Sequence, residues 1–308
     1  PGELVQIQSL TPAILQQATA QTRTQLAQLL DEAPECPTAT YETRLVEIEQ
    51  SLSRQVLALQ IAGTRAVGKT TLRQRLAQLA PATFPQQWSF SDDEELGSET
   101  PQYTEALGQA DVVLFMVQGD LTQQEWTALQ DLKSQHQRIL LVLNKQDQYL
   151  PDQAKLVLAQ LKLRVKGVMA SEDVVAISTS PQPIKVRCHQ ADGSYQETLE
   201  TPQPQIQPLL NRMQTVAAQE VNQLVLQRAY QQTLALQQDI QTQLNGIRRN
   251  RAMPILERYQ WIAAGVAFAN PLPSLDMVAT AAITGKMIQE LAEVYCIKLS
   301  LDRATEIA

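Results

Sequence analysis

Leu57-Ala58-Leu59-Gln60-Ile61-Ala62-Gly63-Thr64-Arg65-Ala66-Val67-Gly68-Lys69-Thr70-Thr71-Leu72 is the stretch that decides the fold. Residues 55–62 are a short, mostly apolar run that meets a loop at Gly63, and residues 69–79 then read as a helix. Gly63 to Thr70 fit G-x-x-x-x-G-K-T. The placement between an apolar strand and a helix separates a P-loop from a chance glycine turn. Glycines let backbone wrap around a phosphate without a side-chain clash, and loop amides with a helix N-terminus attract the anion. Lys69 is expected to reach the β- and γ-phosphates, and the Thr70 hydroxyl to ligate Mg²⁺. The phosphate-side candidates are Gly63, Thr64, Arg65, Ala66, Val67, Gly68, Lys69, Thr70 and Thr71. Lys69 and Thr70 are the two that catalysis would use.

Working outward, residues 111–117 and 139–143 are continuous apolar runs, and 173–177 is a shorter one. Amphipathic segments near 122–136 and 152–168 lie between them. Apolar strands alternating with helices imply a parallel sheet covered on both faces.

Asn144-Lys145-Gln146-Asp147 directly follows the run 139–143. N-K-x-D alone is a weak four-letter pattern. At the end of a later strand, after a P-loop, it reads as guanine recognition. A carboxylate at Asp147 can accept from both the N1–H and the exocyclic amine of guanine. Adenine offers no such donor pair, so base choice follows from unpaired groups. Lys145 would lie along base and sugar. Ile177-Ser178-Thr179-Ser180 ends the next run. Ser178 and Thr179 there are base-contacting candidates, with a plain strand-end cap as the other reading. The expected cofactors are GTP or GDP with Mg²⁺, in a P-loop GTPase three-layer α/β fold with a mostly parallel sheet.

The parts for hydrolysis look defective. Only residues 80–87 separate the P-loop helix from the next candidate strand, 88–91, which leaves little room for a first switch. Thr83 is the only threonine there. The D-x-x-G spacing is not met, because Asp92 and Asp93 stand five and four positions before Gly97. Asp92 is the candidate metal and catalytic carboxylate. The competing reading places Asp92 and Asp93 in an acidic surface loop with Glu94 and Glu95.

The bulk numbers narrow the class. The chain has 308 residues and a net charge of -7, with 44% apolar and 19% charged residues. That length fits one or two domains with a proper core. The negative balance argues against a dedicated nucleic-acid binder. Three cysteines, Cys36, Cys188 and Cys296, are widely spaced, and the two histidines are His136 and His189. Neither a Cys/His metal site nor a disulfide framework is expected, and a cytoplasmic location fits. Pro1-Gly2-Glu3 reads as a trimmed or engineered start without a leader pattern. No run is long and apolar enough for an ordinary single-pass span.

Residues 11–31 and 41–54 read as helices broken at Pro34-Glu35-Cys36-Pro37. Residues 184–201 alternate around an Asp192-Gly193 turn signal, a hairpin expected to extend the sheet. From Pro208 the chain reads as helical, with Leu209, Met213, Val216, Ala217, Val221, Leu224 and Leu226 in one stripe. A second block, 261–268, is interrupted by Asn270-Pro271-Leu272-Pro273, and Ser274 can cap a helix running to about Ser300. The expected domains are N-terminal helices 1–54, a nucleotide domain 55–206 and a helical domain 207–308. The N- and C-terminal helices are expected to form one all-α domain. Arg248, Arg249, Arg251 and Arg258 precede the apolar block, so residues 248–288 could meet an anionic membrane surface. A soluble helical core is the other reading, and Asp276 and Lys286 inside the block favour it.

Two segments, ADVVLFMVQGDLTQQE and ILLVLNKQD, resemble Era-like members of the translation-factor-related GTPase class. PIKVRCHQADGSYQE and YQWIAAGVAFANPLPSLDMVATAAITGKMIQELAEVYCIKLS are similar to a cyanobacterial family of GTP-binding proteins that join a G domain to a YcjF-type domain of unknown function. The resemblance covers most of residues 41–308. It implies membrane association through the C-terminal domain, peripheral or integral at the cytoplasmic face. It also implies that this chain, ending at Ala308, is truncated or a shorter member. Three functions follow as expectations. The first is a membrane-associated guanine-nucleotide switch or scaffold with slow hydrolysis or activity on homodimerisation. The second is a pseudo-GTPase interaction module without turnover. The third, an ATP-binding enzyme, is disfavoured by Asp147.

Overall fold

The computed structural model of the protein describes residues 10–79, 88–90, 110–189, 195–269 and 273–307. Five strands form one sheet in the order β2-β1-β3-β4-β5. They are β1 (Leu57–Gly63), β2 (Trp88–Phe90), β3 (Val112–Val117), β4 (Arg138–Leu143) and β5 (Val174–Ala176). Every neighbouring pair runs parallel. Each needs a crossover, and the helices α3 (Lys69–Gln78), α4 (Gln123–Ser134) and α5 (Pro151–Arg164) supply three.

Strand periodicity builds the layers. Leu57, Leu59, Ile61, Val112, Leu114, Met116, Leu140 and Val142 share a core with Leu72 and Leu76 of α3. The alternate residues Val113, Phe115, Val117, Ile139, Leu141 and Leu143 share the other core with Leu129 and Leu132 of α4 and Leu161 of α5. Both faces are covered, which is why these strands read as continuous apolar runs. Each such side chain contributes roughly 1.5–3 kcal/mol on burial.

The long helix α6 (Gln207–Ala269) completes the first face: its Leu209, Leu210, Met213, Val216 and Ala217 join the α3-side core. Charge closes the far edge of this face. Arg138, at the start of β4, pairs with Asp173 at 2.7 Å and Glu220 at 2.6 Å. Arg212 also reaches Asp173, at 2.7 Å. Burial pulls the Arg138 guanidinium down, but its hydrogen bonds to Glu220 and Asp173 outweigh that and leave it firmly protonated.

The hairpin exists, as β6 (Ile184–His189) and β7 (Tyr195–Glu200), but it does not extend the sheet. It pairs only with itself, as a separate two-stranded sheet among the described residues. Pro181, Pro183, Pro202 and Pro204 flank it, and a proline cannot donate to a ladder. Its expected turn, Asp192-Gly193, lies outside the described residues.

Two compact units divide the chain. One contains residues 1–12 and 50–229, the other 13–49 and 230–308. The boundary falls inside α6, so its first part belongs with the sheet rather than with the helices. In the second unit, α1 (Pro12–Glu32), α2 (Ala39–Ser51), the rest of α6, α7 (Pro273–Val294) and α8 (Leu301–Ile307) are all helical. Gln237 donates to the Ala18 carbonyl at 2.8 Å, and Arg44 pairs with Asp239 at 2.8 Å. Helix α7 starts at Pro273, one residue ahead of the expected cap Ser274, and it ends at Val294 rather than near Ser300. Ile297 N–H bonds Ala292 carbonyl and Cys296 N–H bonds Glu293 carbonyl, with Cys296 at φ 56. That is a Schellman stop with cysteine where glycine is usual.

Candidate nucleotide-binding site

In an open parallel sheet, ligands bind beyond the strand C-termini, where the chain turns to opposite sides. Here that point lies between β1 and β3, and the loop 63–70 leaves β1 there. The backbone enters the left-handed region at Ala66, φ 65, and Gly68, φ 99, while Gly63 has φ 143. A Cβ on Gly63 would lie 2.4 Å from the Met116 carbonyl oxygen, and one on Gly68 would lie 2.4 Å from Asn144 Nδ2. The two glycines are therefore required by different neighbours. Ala66 has no such excuse and costs roughly 1–2 kcal/mol of backbone strain.

Val67 is buried and anchors the loop to the core. Lys69 reaches back across the loop, its ammonium donating to Gly63 carbonyl at 2.7 Å and Thr64 carbonyl at 2.9 Å. Thr70 is exposed and Thr71 half-buried at the start of α3, and Arg65 is exposed. Thr64 donates its hydroxyl to Glu125 at 2.9 Å. Glu125 is only 5% exposed. It also closes a capping box with Thr122 at the head of α4. The Thr-x-x-Glu spacing was readable as a helix start. The added tie to the phosphate loop was not.

The base side converges on Asn144, which is 0% exposed. Its amide donates to Val67 carbonyl at 2.8 Å and to Thr179 Oγ1 at 3.1 Å. Its Oδ1 accepts from Thr179 N–H at 3.2 Å. One side chain thus joins the phosphate loop, the end of β4 and the loop after β5. Thr179 spends its amide and hydroxyl on Asn144, so its visible task is to hold that residue. Lys145 takes φ 61 and donates to Gln118 Oε1 at 3.1 Å. Asp147 stands exposed with both oxygens oriented: Ser178 donates its hydroxyl to one, and Gln182 N–H donates to the other at 3.2 Å. A groove of about 1020 Å³ opens beside it, lined by Asp147, Tyr149, Lys155, Leu158, Ser178 and Gln205 among others.

Asn144 meets the phosphate loop at Val67 and the loop after β5 at Thr179, and Ser178 meets Asp147. Asp92, with Asp93 and Thr83, lies outside the described residues. Among the described residues no group of three or more His, Cys, Asp or Glu could hold a metal ion. Thr70 suits Mg²⁺, which keeps several waters and takes few protein ligands.

The arginines ahead of residue 261 have other work. Arg248 pairs with Glu32 at 2.6 Å, their side chains 11% and 5% exposed. Arg251 donates to the Glu32 carbonyl, and Arg258 pairs with Glu290. Three of the four residues read as a headgroup patch therefore have partners within the helical unit, Arg251 and Arg258 while staying exposed. No described helix is long and apolar enough to cross a membrane.

Residues 231–308 match a family described as "Domain of unknown function (DUF697)". No curated protein matches the chain. Among solved structures, the chain is similar to a crystal structure of a mutation variant of SsGBP, at 15% identity and a TM-score of 0.36. That likeness covers 61% of this chain and 66% of the other, just under two thirds of its length. It is also similar to a crystal structure of a LAO/AO transport system kinase, at 14% identity and a TM-score of 0.36, covering 93% of this chain and 99% of that one. The parallel sheet, the glycine-shaped loop 63–70 and the flanking helices make this a P-loop nucleotide-binding fold joined to a helical unit.

Proposed function

We propose that the protein binds a guanine nucleotide with Mg²⁺ at this edge of the sheet and serves as a slow GTPase-like switch or scaffold of the Era-like class. The observation that carries the reading is the convergence at Asn144, which fixes the Asp147 loop against the phosphate loop. Lys69 and the amides of 63–70 would take the phosphates, Thr70 and Asp92 the metal, and Asp147 the donor edge of guanine. Mg²⁺, when bound, supplies charge neutralisation for the phosphates. Slow turnover rests on the short stretch 80–87 and the unmet D-x-x-G spacing. The same two features favour the second reading, a pseudo-GTPase module without turnover. Residues 55–206 would carry the chemistry, with the helices of 1–54 and 207–308 as readout.

Contact with a membrane surface, or with a second copy, is supported by the exposed segment Trp261-Ile262-Ala263-Ala264-Gly265. Trp261 is 80% exposed.

Calorimetric titration with GDP, GTP and ATP in excess Mg²⁺ tests the reading. GDP and GTP should bind with Kd below ~100 μM, more than about 5 kcal/mol, and ATP should not. Asp147→Asn should move preference toward xanthine nucleotides. No guanine binding, or an unchanged base preference, sinks it. Phosphate release then separates slow turnover from none.

A further inference from the structure

Gln205 lies between the hairpin and α6, and it holds both base loops. Its N–H donates to the Ser178 carbonyl at 2.8 Å, and its carbonyl accepts from Ser178 N–H at 2.9 Å. Its side-chain oxygen accepts from the Gln146 amide at 3.0 Å. Gln146 N–H donates to the Ile177 carbonyl at 3.2 Å, and Ser178 donates its hydroxyl to Asp147. The carboxylate that would read the base therefore rests, through Ser178 and Gln146, on one residue outside every motif.

The next residue begins the long helix. Ile206 is buried, and its carbonyl accepts from Leu210 N–H at 3.1 Å, closing the first turn of α6. Ile206, Leu209 and Leu210 share a core with Ile177, which precedes Ser178, and with Val67 of the phosphate loop. A core this tightly packed does not deform continuously. Ser178 and the head of α6 must move together or lose the two bonds that join them.

We propose that residues 202–206 form a further part of the base site, and that α6 senses the guanine base rather than the γ-phosphate. The proposal rests on the guanine-binding reading above. A base that donates to Asp147 stabilises the arrangement of Ser178 that Gln205 shares. By linkage it stabilises the first turn of α6 equally. GDP and GTP carry the same base and should act alike. Inorganic tripolyphosphate carries none and should leave α6 unaffected.

Hydrogen exchange of the full chain, followed at amides 205–213, tests this. The expected result is equal slowing by GDP and a non-hydrolysable GTP analogue, and none by tripolyphosphate bound at the phosphate loop. Slowing by the GTP analogue alone, or equal slowing by tripolyphosphate, overturns it. Gln205→Ala and Gln146→Ala each remove the side-chain bond, and Gln205→Pro removes the N–H that reaches Ser178. Each should weaken GDP about threefold to tenfold, the size of one hydrogen bond, with tripolyphosphate affinity unchanged. GDP affinity unchanged in the two alanine variants overturns the proposal even if Gln205→Pro does not fold. Failure of the unaltered chain to bind GDP overturns the guanine reading instead; GDP binding without slowing at 205–213 overturns only the coupling.

Discussion

The sheet unit and the helical unit are built on different chemistry. β3 buries all six of its residues, and two apolar cores close over the sheet from either side. Charge enters at strand starts, where Arg54 pairs with Asp111 at 2.5 Å and Arg138 with Asp173. In the helical unit, sequence-distant helices meet through Glu32–Arg248, Arg44–Asp239, Arg258–Glu290 and the bond from Gln237 to Ala18. Met253, Trp261 and Ile262 remain exposed there. The first unit buries its central strands in two apolar cores, although Leu150, Leu156 and Leu163 around α5 and Leu199 on the hairpin stay exposed. The second joins sequence-distant helices through ion pairs and leaves Trp261 80% exposed, so the two should fail under different stresses.

Phe115→Ala should show the largest effect. The ring is fully buried between strands and helices, so removal should cost about 3–5 kcal/mol by equilibrium urea denaturation. A loss under ~1 kcal/mol would mean the sheet unit does not depend on apolar packing as described.

Acid should act on the other unit. The hydrogen bond from Arg248 holds the Glu32 carboxyl below its ordinary range, against the opposing pull of burial. A lowered folded value means the stabilisation is complete above the ordinary carboxylate range, ~4.3, and is lost as pH falls through the lower folded value. Glu32→Gln should cost about 2 kcal/mol at neutral pH and nothing well below the carboxylate range. Thermal melts by circular dichroism at the two pH values check this. A difference that persists in acid would remove the ion pair from the account.

Trp261→Ser should have the smallest effect on stability, within ~0.5 kcal/mol, because its side chain touches little. Its effect should appear instead in co-sedimentation with lipid vesicles, which should fall. A destabilisation above ~1 kcal/mol would show that the ring is buried, and would erase the contrast.

The sheet was legible because its strands are buried on both faces. The runs 111–117 and 139–143 needed no alternation to be seen, and each lies within one residue of the observed strand. The loop 63–70 was legible because glycine is demanded at its two close approaches. What escaped was structure that no side chain announces. His136 and Cys296 stop helices in left-handed conformations usually signalled by glycine, at φ 59 and 56. The end of α7 was accordingly placed too late. Gln205 escaped for a related reason: its two bonds to Ser178 are backbone bonds, which any residue but proline could make. The arginines 248, 251 and 258 were visible as a cluster, but their carboxylate and carbonyl partners lie far away in sequence.

The family match that begins at residue 231 starts one residue after the first of the second unit's α6 residues, Tyr230, and in the middle of a helix. No loop marks the seam. A chain cut there would expose four N–H groups stripped of their helical acceptors. Each residue gained or lost near the seam would turn the buried row Leu236, Ile240 and Leu244 by about 100°. Only a change of roughly three or four residues returns that row to nearly the same side of the helix.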